Sequence, residues 1–381
     1  MNSMSVSDAS DAASRRSPAE GTVTADEAIL QVENMRVSFP TERGFLRAVD
    51  GVSLSLRAGT TTGIVGESGS GKSMLLRSVM NLLPENAAIN PKARILFEGQ
   101  DIRSLTSAEA RHFWGVEMAM VFQDPMTSLT PVLRIGRQIR EPLHYHLKLR
   151  RSESKRRAAE LLREVGIPDA KRRLRQYPHN LSGGMRQRVT IAIALACEPK
   201  LLMADEPTTA LDVTIQHQIL NLLQHTQEER NMSMVLVTHD LGVVASRTDH
   251  IVVMYAGRIV EQAPTRDLFR EMRHPYTEAL LGSIPRIANP SHTQLEVIPG
   301  RHAVVINPPP GCRFAPRCRY AQARCLVEDP TLRPAGTKEH QHACFFPVGT
   351  PEGRNALEAN VKEGRTAAGL AVTEDTVHDG R

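Results

Sequence analysis

The sequence is poor in aromatic side chains. Only 4% of its 381 residues are Phe, Tyr or Trp, and there is a single tryptophan. Proteins that hold single-stranded nucleic acid stack the bases on aromatic side chains. The composition therefore argues against this function class, and we predict no nucleic-acid partner.

Long apolar runs are also missing. The run from Val189 to Cys197 is the longest near the middle of the chain, far short of the roughly 18 apolar residues of a membrane-spanning helix. Residues 1–27 are rich in Ser, Ala, Thr and Asp and lack the apolar segment of a secretory signal. We expect a cytoplasmic protein that reaches a membrane only through a partner.

Composition divides the chain into zones. The first zone has too few apolar residues to fold, whereas the second alternates short β-branched runs with helical patterns, as α/β proteins do. Strands are predicted at Thr60–Val65, Met118–Phe122, Leu201–Ala204, Met234–Val237 and Ile251–Met254, with a helix at Lys72–Leu83. The predicted divisions are a disordered leader (1–28), an α/β domain (29–272) with a helical subdomain (133–198), a Pro-, Arg- and Cys-containing extension (273–348) and a flexible tail (349–381).

A glycine-rich motif lies between the first predicted strand and its helix. The residues are Gly66, Glu67, Ser68, Gly69, Ser70, Gly71, Lys72 and Ser73, followed by Met74. They match G-x-x-x-x-G-K-[ST], in which backbone N–H groups and the helix N-terminus bind phosphate. Lys72 would contact the β- and γ-phosphates, and the Ser73 hydroxyl would bind Mg²⁺. The alternative, a plain glycine-rich turn, does not explain the strand and helix on either side, so we predict an ATP site at Gly66–Met74.

Two carboxylates follow the apolar run Leu201–Ala204. Asp205 and Glu206 would lie at the carboxyl end of a strand, where open α/β sheets bind ligands. Strand-end carboxylates are common, but beside a phosphate loop they have specific tasks. We predict that Asp205 holds Mg²⁺, directly or through water, and that Glu206 orients and polarises the attacking water.

The stretch Leu181-Ser182-Gly183-Gly184-Met185-Arg186-Gln187-Arg188 resembles the signature sequence of the ATP-binding cassette (ABC) family. The resemblance covers residues 29 to about 272. It implies an α/β P-loop NTPase fold, an ABC cassette with a mixed sheet core and an inserted helical subdomain. It also implies that Ser182, Gly183, Gly184 and Gln187 act in trans, on ATP held by the opposite subunit of a dimer. A plain helix N-cap is the alternative interpretation of Ser182.

Other family positions occur in the expected order. The resemblance implies that Gln123 contacts Mg²⁺ and the water, that His239 bonds the γ-phosphate, and that Phe39 stacks on adenine. Ala210-Leu211-Asp212 resembles the D-loop, which links the two sites of a dimer. The implied catalytic residues are Lys72, Gln123, Glu206 and His239, and the implied Mg²⁺ ligands are Ser73, Gln123 and Asp205.

Several segments resemble the oligopeptide and dipeptide importer branch of this family. These are Phe122–Pro131, His274–Thr277 and Ile298–Gly300. Within the first segment, Thr130 stands where the branch usually has Asn. The resemblance implies an ATPase subunit on the cytoplasmic face of the inner membrane. Its implied partners are a second, related ATPase chain forming a heterodimer, two transmembrane permease subunits and an extracytoplasmic solute-binding protein. The alternative is a soluble ABC ATPase that acts on DNA or on the ribosome.

Four of the five cysteines cluster near the C-terminus, at Cys312, Cys318, Cys325 and Cys344. In a reducing compartment disulfides are not expected, and four thiolates suit either a [4Fe–4S] cluster or tetrahedral zinc. The spacing of these cysteines does not match the common sequence fingerprints of either kind of site. Because His340 and His342 lie close to Cys344 in the sequence, a zinc site stays open as an alternative. The peptide-importer resemblance implies a [4Fe–4S] cluster, with zinc as the alternative, in a small Cys-rich C-terminal extension.

Overall fold

A computed structural model describes residues 28–209, 211–283, 298–300, 303 and 305–373. The predicted leader, apart from Ala28, lies outside the described residues, as do Ala210 and residues 374–381. The strands are β1 (Ala28–Thr41), β2 (Gly44–Arg57), β3 (Thr61–Val65), β4 (Ala88–Ile89), β5 (Arg94–Phe97), β6 (Gln100–Asp101), β7 (Met118–Val121), β8 (Leu201–Asp205), β9 (Ser233–Val237), β10 (His250–Tyr255), β11 (Arg258–Pro264), β12 (Arg333–Ala335) and β13 (Thr337–His342). The α-helices are α1 (Lys72–Val79), α2 (Ser107–Phe113), α3 (Pro125–Ser128), α4 (Ile135–Tyr145), α5 (Arg151–Glu164), α6 (Ala170–Arg173), α7 (Gly183–Ala194), α8 (Val213–Arg230), α9 (Leu241–Arg247), α10 (Thr265–Arg270), α11 (Pro275–Gly282), α12 (Ala323–Val327) and α13 (Pro351–Glu363).

The central sheet is mixed, with the strand order β12-β13-β11-β10-β3-β9-β8-β7. Strands β10, β3, β9, β8 and β7 run parallel, and β11, β13 and β12 continue the sheet in antiparallel pairs. All residues of β3, β8 and β9 are buried, as expected for parallel strands covered on both faces. The five predicted strands are confirmed, each to within one residue at either end.

A second, antiparallel sheet has the order β2-β1-β5-β6, with β4 paired to β1. Apolar residues of β1 and β2 share a core with Leu75 and Leu76 of α1 and with Met203 of β8. The helix α1 ends at Val79, before the predicted Leu83, because the chain then turns through Asn81 at φ 55°. Strand β2 of this sheet borders the phosphate loop, since Leu46 and Ala48 line the same cavity as Gly69 and Gly71.

The helices α3 to α7 lie between β7 and β8 in the chain, where the sequence predicts helical periodicity without strands. Their core contains Ile135 and Ile139 of α4, Leu162 of α5 and Val189 of α7. None of the helices that the structure describes combines the length and the apolar character needed to cross a bilayer.

The C-terminal region adds strands to the central sheet. Strand β13 pairs with β11, and Arg57 of β2 forms an ion pair with Glu339 of β13. A third core joins Tyr255 of β10 to Tyr276 of α11, Phe314 and Cys318. Among the described residues, β12 and β13 therefore continue the central sheet, and Phe314 and Cys318 pack in a core shared with β10 and α11; a Cys-rich extension as a unit of its own stays a prediction.

Part of the segment predicted as a flexible tail (349–381) forms a helix, α13 (Pro351–Glu363). Thr350 caps α13 by accepting a hydrogen bond from the Gly353 backbone N–H (3.1 Å). Asn360 is buried and donates to the backbone oxygens of Arg319 (2.8 Å) and Ala321 (3.2 Å). The composition of this helix is as polar as that of a solvated tail, because the side chain that holds it in place, Asn360, is itself polar.

Candidate nucleotide-binding site

The glycine-rich loop between β3 and α1 passes close to neighbouring backbone. Gly66 has φ 150° and Gly71 has φ 102°. A Cβ atom at Gly66 would lie 2.2 Å from the Met254 carbonyl oxygen, and one at Gly71 would lie 2.3 Å from the Ala48 carbonyl oxygen. Since only glycine fits both the dihedral angles and the space, these two positions determine the path of the loop.

The Lys72 ammonium lies inside this loop. Its Nζ donates to the carbonyl oxygens of Gly66 (2.8 Å) and Glu67 (3.0 Å). Burial lowers the pKa of Lys72, while Glu206 and Asp205 act in the opposite direction. A buried, poorly hydrated ammonium next to the N-terminus of α1 favours an anionic ligand such as phosphate.

Ser73 and Asp205 form a pair suited to a divalent cation. The Ser73 hydroxyl donates to Asp205 Oδ1 (2.8 Å). Asp205 is fully buried, and burial raises its pKa. Its Oδ2 atom has no hydrogen-bond partner among the described residues. A hydroxyl and an unsatisfied carboxylate oxygen are ligands that Mg²⁺ prefers, so the residues present fit this ion.

Three polar side chains meet at Glu206, directly after β8. Its Oε2 atom accepts hydrogen bonds from Gln123 Nε2 (3.1 Å) and from the Thr209 hydroxyl (2.9 Å), and His239 Nδ1 lies 3.5 Å away. Gln123, Glu206 and His239 follow β7, β8 and β9, whose carboxyl ends share one edge of the sheet. The structure therefore brings these three predicted residues together. Sequence reasoning missed Thr209, although its position three residues after Glu206 was a usable signal.

Gln123 and Glu206 border a cavity of about 440 Å³, whereas Asp205, Thr209 and His239 are not part of its lining. Its lining includes Ser68, Gly69, Gly71, Lys72, Ser73, Met74, Gln123 and Glu206. Leu46 and Ala48 of β2, with Val305, form an apolar wall that the sequence analysis did not identify. Phe39, predicted to stack on adenine, is absent from this lining and instead packs against the core beneath the antiparallel sheet.

Comparison with known proteins decides the family. The chain is 48% identical over 299 residues to the dipeptide transport ATP-binding protein DppD of Bacillus subtilis (strain 168), covering 78% of this chain and 89% of that protein. It is 47% identical over 304 residues to the oligopeptide transport ATP-binding protein OppD of the same organism, covering 80% and 85%. This chain belongs to the oligopeptide/dipeptide family of ABC transporter ATP-binding proteins.

Two family profiles agree with this membership. Residues 49–209 match the profile described as ABC transporter. Residues 260–325 match the profile described as the C-terminal region of oligopeptide/dipeptide transporters. The α/β cassette fold also resembles the ATP-binding cassette MJ0796, solved as a dimer in a post-hydrolysis state bound to ADP and Pi. That similarity has a TM-score of 0.56 and 28% identity, and it covers 62% of this chain and 99% of the other.

The ABC signature residues lie apart from the cavity of their own chain. Ser182 caps α7, with its hydroxyl accepting from the Met185 N–H (3.4 Å), and Ser182 and Gly183 are exposed. The exposed Asp212 caps the neighbouring helix α8. Gln187, predicted to act with the signature, is only 1% exposed and faces the core. The exposed helix tip therefore consists of Ser182 and Gly183, without Gln187.

The four clustered cysteines surround one small cavity of about 10 Å³, which His274 and Phe314 also line. Burial raises the pKa of Cys312 to about 11 and also raises those of Cys318, Cys325 and Cys344. Within the described ranges, no three His, Cys, Asp or Glu side chains are placed to hold one metal ion. His340 bonds Glu261 Oε1 instead (2.8 Å), and His342 is not part of the cavity lining.

Proposed function

We propose that this chain is the ATP-hydrolysing, nucleotide-binding subunit of an ABC importer for oligopeptides, dipeptides or similar solutes. The observation that carries the proposal is the meeting of Gln123, Glu206 and His239 beside the phosphate loop. The match of residues 260–325 to the C-terminal region of peptide transporters supports the substrate class. It also disfavours the alternative, a soluble ABC ATPase acting on DNA or on the ribosome.

The residues of the site divide the work of hydrolysis. The loop amides and Lys72 bind the phosphates, while Ser73 and Asp205 hold Mg²⁺, which supplies charge neutralisation when bound. Glu206 orients and polarises the attacking water. Gln123 and the Thr209 hydroxyl fix its carboxylate by hydrogen bonds of 3.1 and 2.9 Å. His239 is placed to contact the terminal phosphate, and the apolar wall of Leu46 and Val305 accommodates the nucleoside.

A second ATPase subunit completes the site. The exposed Ser182–Gly183 tip and Asp212 do not line the cavity of this chain, so their proposed target is the nucleotide of a partner, a related chain in a heterodimer. In other phosphoryl-transfer enzymes, a cationic group supplied in trans raises the rate by about 10³- to 10⁵-fold. We infer that the isolated monomer hydrolyses ATP slowly.

The remaining partners are two transmembrane permease subunits and an extracytoplasmic solute-binding protein, with this chain on the cytoplasmic face of the inner membrane. Met126 and Val132, shortly after Gln123, are 61% and 77% exposed. Large apolar side chains in this position favour contact with a permease subunit. Closure of the ATPase dimer would then be transmitted through the helices α3 to α7.

Substitution of Glu206 tests this mechanism. Glu206→Gln keeps the hydrogen-bonding shape but removes the base, so ATP binding should persist while hydrolysis falls by about 10²- to 10⁴-fold. The nucleotide-bound dimer should accumulate, as measured by size-exclusion chromatography with the partner subunit. Glu229→Gln, on the exposed face of α8, is the matched control. Turnover at the wild-type rate in Glu206→Gln would contradict the role of the carboxylate.

For the cysteine cavity, we propose a structural [4Fe–4S] cluster held by Cys312, Cys318, Cys325 and Cys344. The support is the donor set itself, four thiols around one cavity. Each thiolate of such a cluster binds a different iron atom, so the sulfurs need not converge on one point. Anaerobically purified protein should contain iron and acid-labile sulfide in equal amounts. Zinc without sulfide would support the zinc alternative and contradict the cluster.

A further inference from the structure

Glu67, the second residue of the phosphate loop, is held by an arginine from the C-terminal region. Arg317 Nη1 donates to Glu67 Oε2 (2.7 Å), and Nη2 donates to Glu67 Oε1 (3.0 Å). The Arg317 side chain is 4% exposed and that of Glu67 is 18% exposed. This is a bidentate, largely desolvated ion pair between residues 250 positions apart in the chain.

Arg317 is itself fixed by further contacts. Its Nε donates to the carbonyl oxygen of Pro299 (2.7 Å), and Nη2 also contacts that of Ile298 (3.2 Å). The guanidinium lies over the Tyr255 ring, 5.9 Å from its centroid. Because the planar group is held on several sides, it presents its two donors to Glu67 in a preset orientation.

The backbone of Glu67 is held from the same region. Its N–H donates to the hydroxyl oxygen of Tyr276 (2.7 Å), a fully buried residue of α11. Its carbonyl oxygen accepts from Lys72 Nζ (3.0 Å) and from the Ser70 N–H (3.1 Å). One residue thus connects Arg317 and Tyr276 to the lysine that is placed to bind phosphate.

We propose that Arg317 is a positioning residue for ATP binding, which fixes the phosphate loop and neutralises its one carboxylate through the ion pair with Glu67. This inference rests on the proposed function. Without Arg317, a carboxylate charge would stand beside the polyanionic triphosphate, and the loop would lose the contact that orients the Glu67 carbonyl toward Lys72. Arg317 also belongs to the segment between Cys312 and Cys318, so the cysteine cavity is joined to the nucleotide site by one short stretch of chain.

A double-mutant cycle on the full-length chain tests the inference. Arg317→Met should weaken binding of a non-hydrolysable ATP analogue about tenfold, as measured by titration calorimetry. In the Glu67→Gln background, where no charge needs neutralising, Arg317→Met should change the Kd less than about twofold. Arg317→Lys, which keeps the charge but not the fork, should lie between the wild type and Arg317→Met. Arg324→Met, which breaks an exposed ion pair with Glu328 in the same region, is the matched control and should leave the Kd unchanged.

The outcomes separate the inference from the proposed function. An unchanged Kd in folded Arg317→Met, or an equal loss in both backgrounds, would overturn the role of Arg317 while leaving ATP binding established. A wild-type chain that binds no nucleotide would overturn both. Thermal unfolding midpoints identify variants that do not fold. If Arg317→Met is among them, Arg317→Lys carries the same comparison between the two backgrounds.

Discussion

Arg313 offers the sharpest test of how the C-terminal region is attached to the cassette. Its guanidinium pairs with the buried carboxylate of Asp50. Three other arginines also form ion pairs with this carboxylate: Arg36, Arg47 (3.7 Å) and Arg258 (3.3 Å). Of the four, Arg313 is the most buried, with its side chain 6% exposed. Arg313→Met removes this charge and also the hydrogen bond to the Ala256 carbonyl oxygen.

The magnitude follows from what Arg313→Met leaves behind. Removing one partner of a buried ion pair destabilises a protein by about 3 to 5 kcal/mol, because the other charge stays buried. Here the remaining arginines are 31% to 50% exposed and still offset part of the Asp50 charge. We therefore expect a loss near the lower end, about 3 kcal/mol in the free energy of unfolding.

Urea denaturation at neutral pH measures this loss. The matched control is Arg156→Met, which removes a pair between Arg156 and Glu160 (3.3 Å) whose arginine is 74% exposed. Exposed pairs of this kind contribute about 0.5 kcal/mol or less. If Arg313→Met lowers the free energy of unfolding no more than Arg156→Met does, the ion pair between Arg313 and Asp50 does not stabilise the fold, and the prediction is wrong.

The pH dependence provides a second check. Burial alone would raise the pKa of Asp50, but Arg313, Arg258 and Arg36 outweigh it and hold the pKa below its ordinary value of 3.8. A carboxyl with a depressed folded pKa stabilises the protein fully above its unfolded pKa, and the stabilisation is lost as the pH falls through the folded pKa. The difference between wild type and Arg313→Met should therefore be constant from about pH 8 to 5 and shrink below about pH 4. A difference that grew on acidification would contradict this assignment.

Two further predictions concern single positions. Gly71→Ala should abolish nucleotide binding, because at φ 102° the new Cβ atom would lie 2.3 Å from the Ala48 carbonyl oxygen. Gly99→Ala, at φ 82° and with no atom within 4 Å of the new Cβ, is the control and should retain binding. Equal binding by the two variants in a filter assay would refute the steric argument. Burial raises the pKa of Cys197 to about 11, so its thiol should resist alkylation at about pH 8 in the native chain and react after unfolding, as followed by mass spectrometry. Rapid labelling of Cys197 in the native chain would contradict this prediction.

Local sequence patterns determined much of the nucleotide site. The phosphate loop is a contiguous motif, and its glycines at 66 and 71 encode dihedral angles that other residues avoid. The central strands were predictable because parallel strands buried on both faces are short apolar runs. Their order along the chain placed Gln123, Glu206 and His239 at strand ends, which the sheet then brings to one edge.

Only the tertiary structure decided which distant residues meet. Arg317 and Glu67 are 250 positions apart, and the local sequence around neither residue predicts their contact. Nor does a local pattern reveal that Phe39 packs against the core, that Gln187 turns inward on α7, or that Asn360 ties α13 to the Ala321 backbone. A motif specifies backbone geometry over a few residues, whereas burial and ion pairing depend on how whole elements pack. The sequence by itself therefore determined the chemistry of the site, and the packing of the C-terminal region on the cassette determined what holds that site in place.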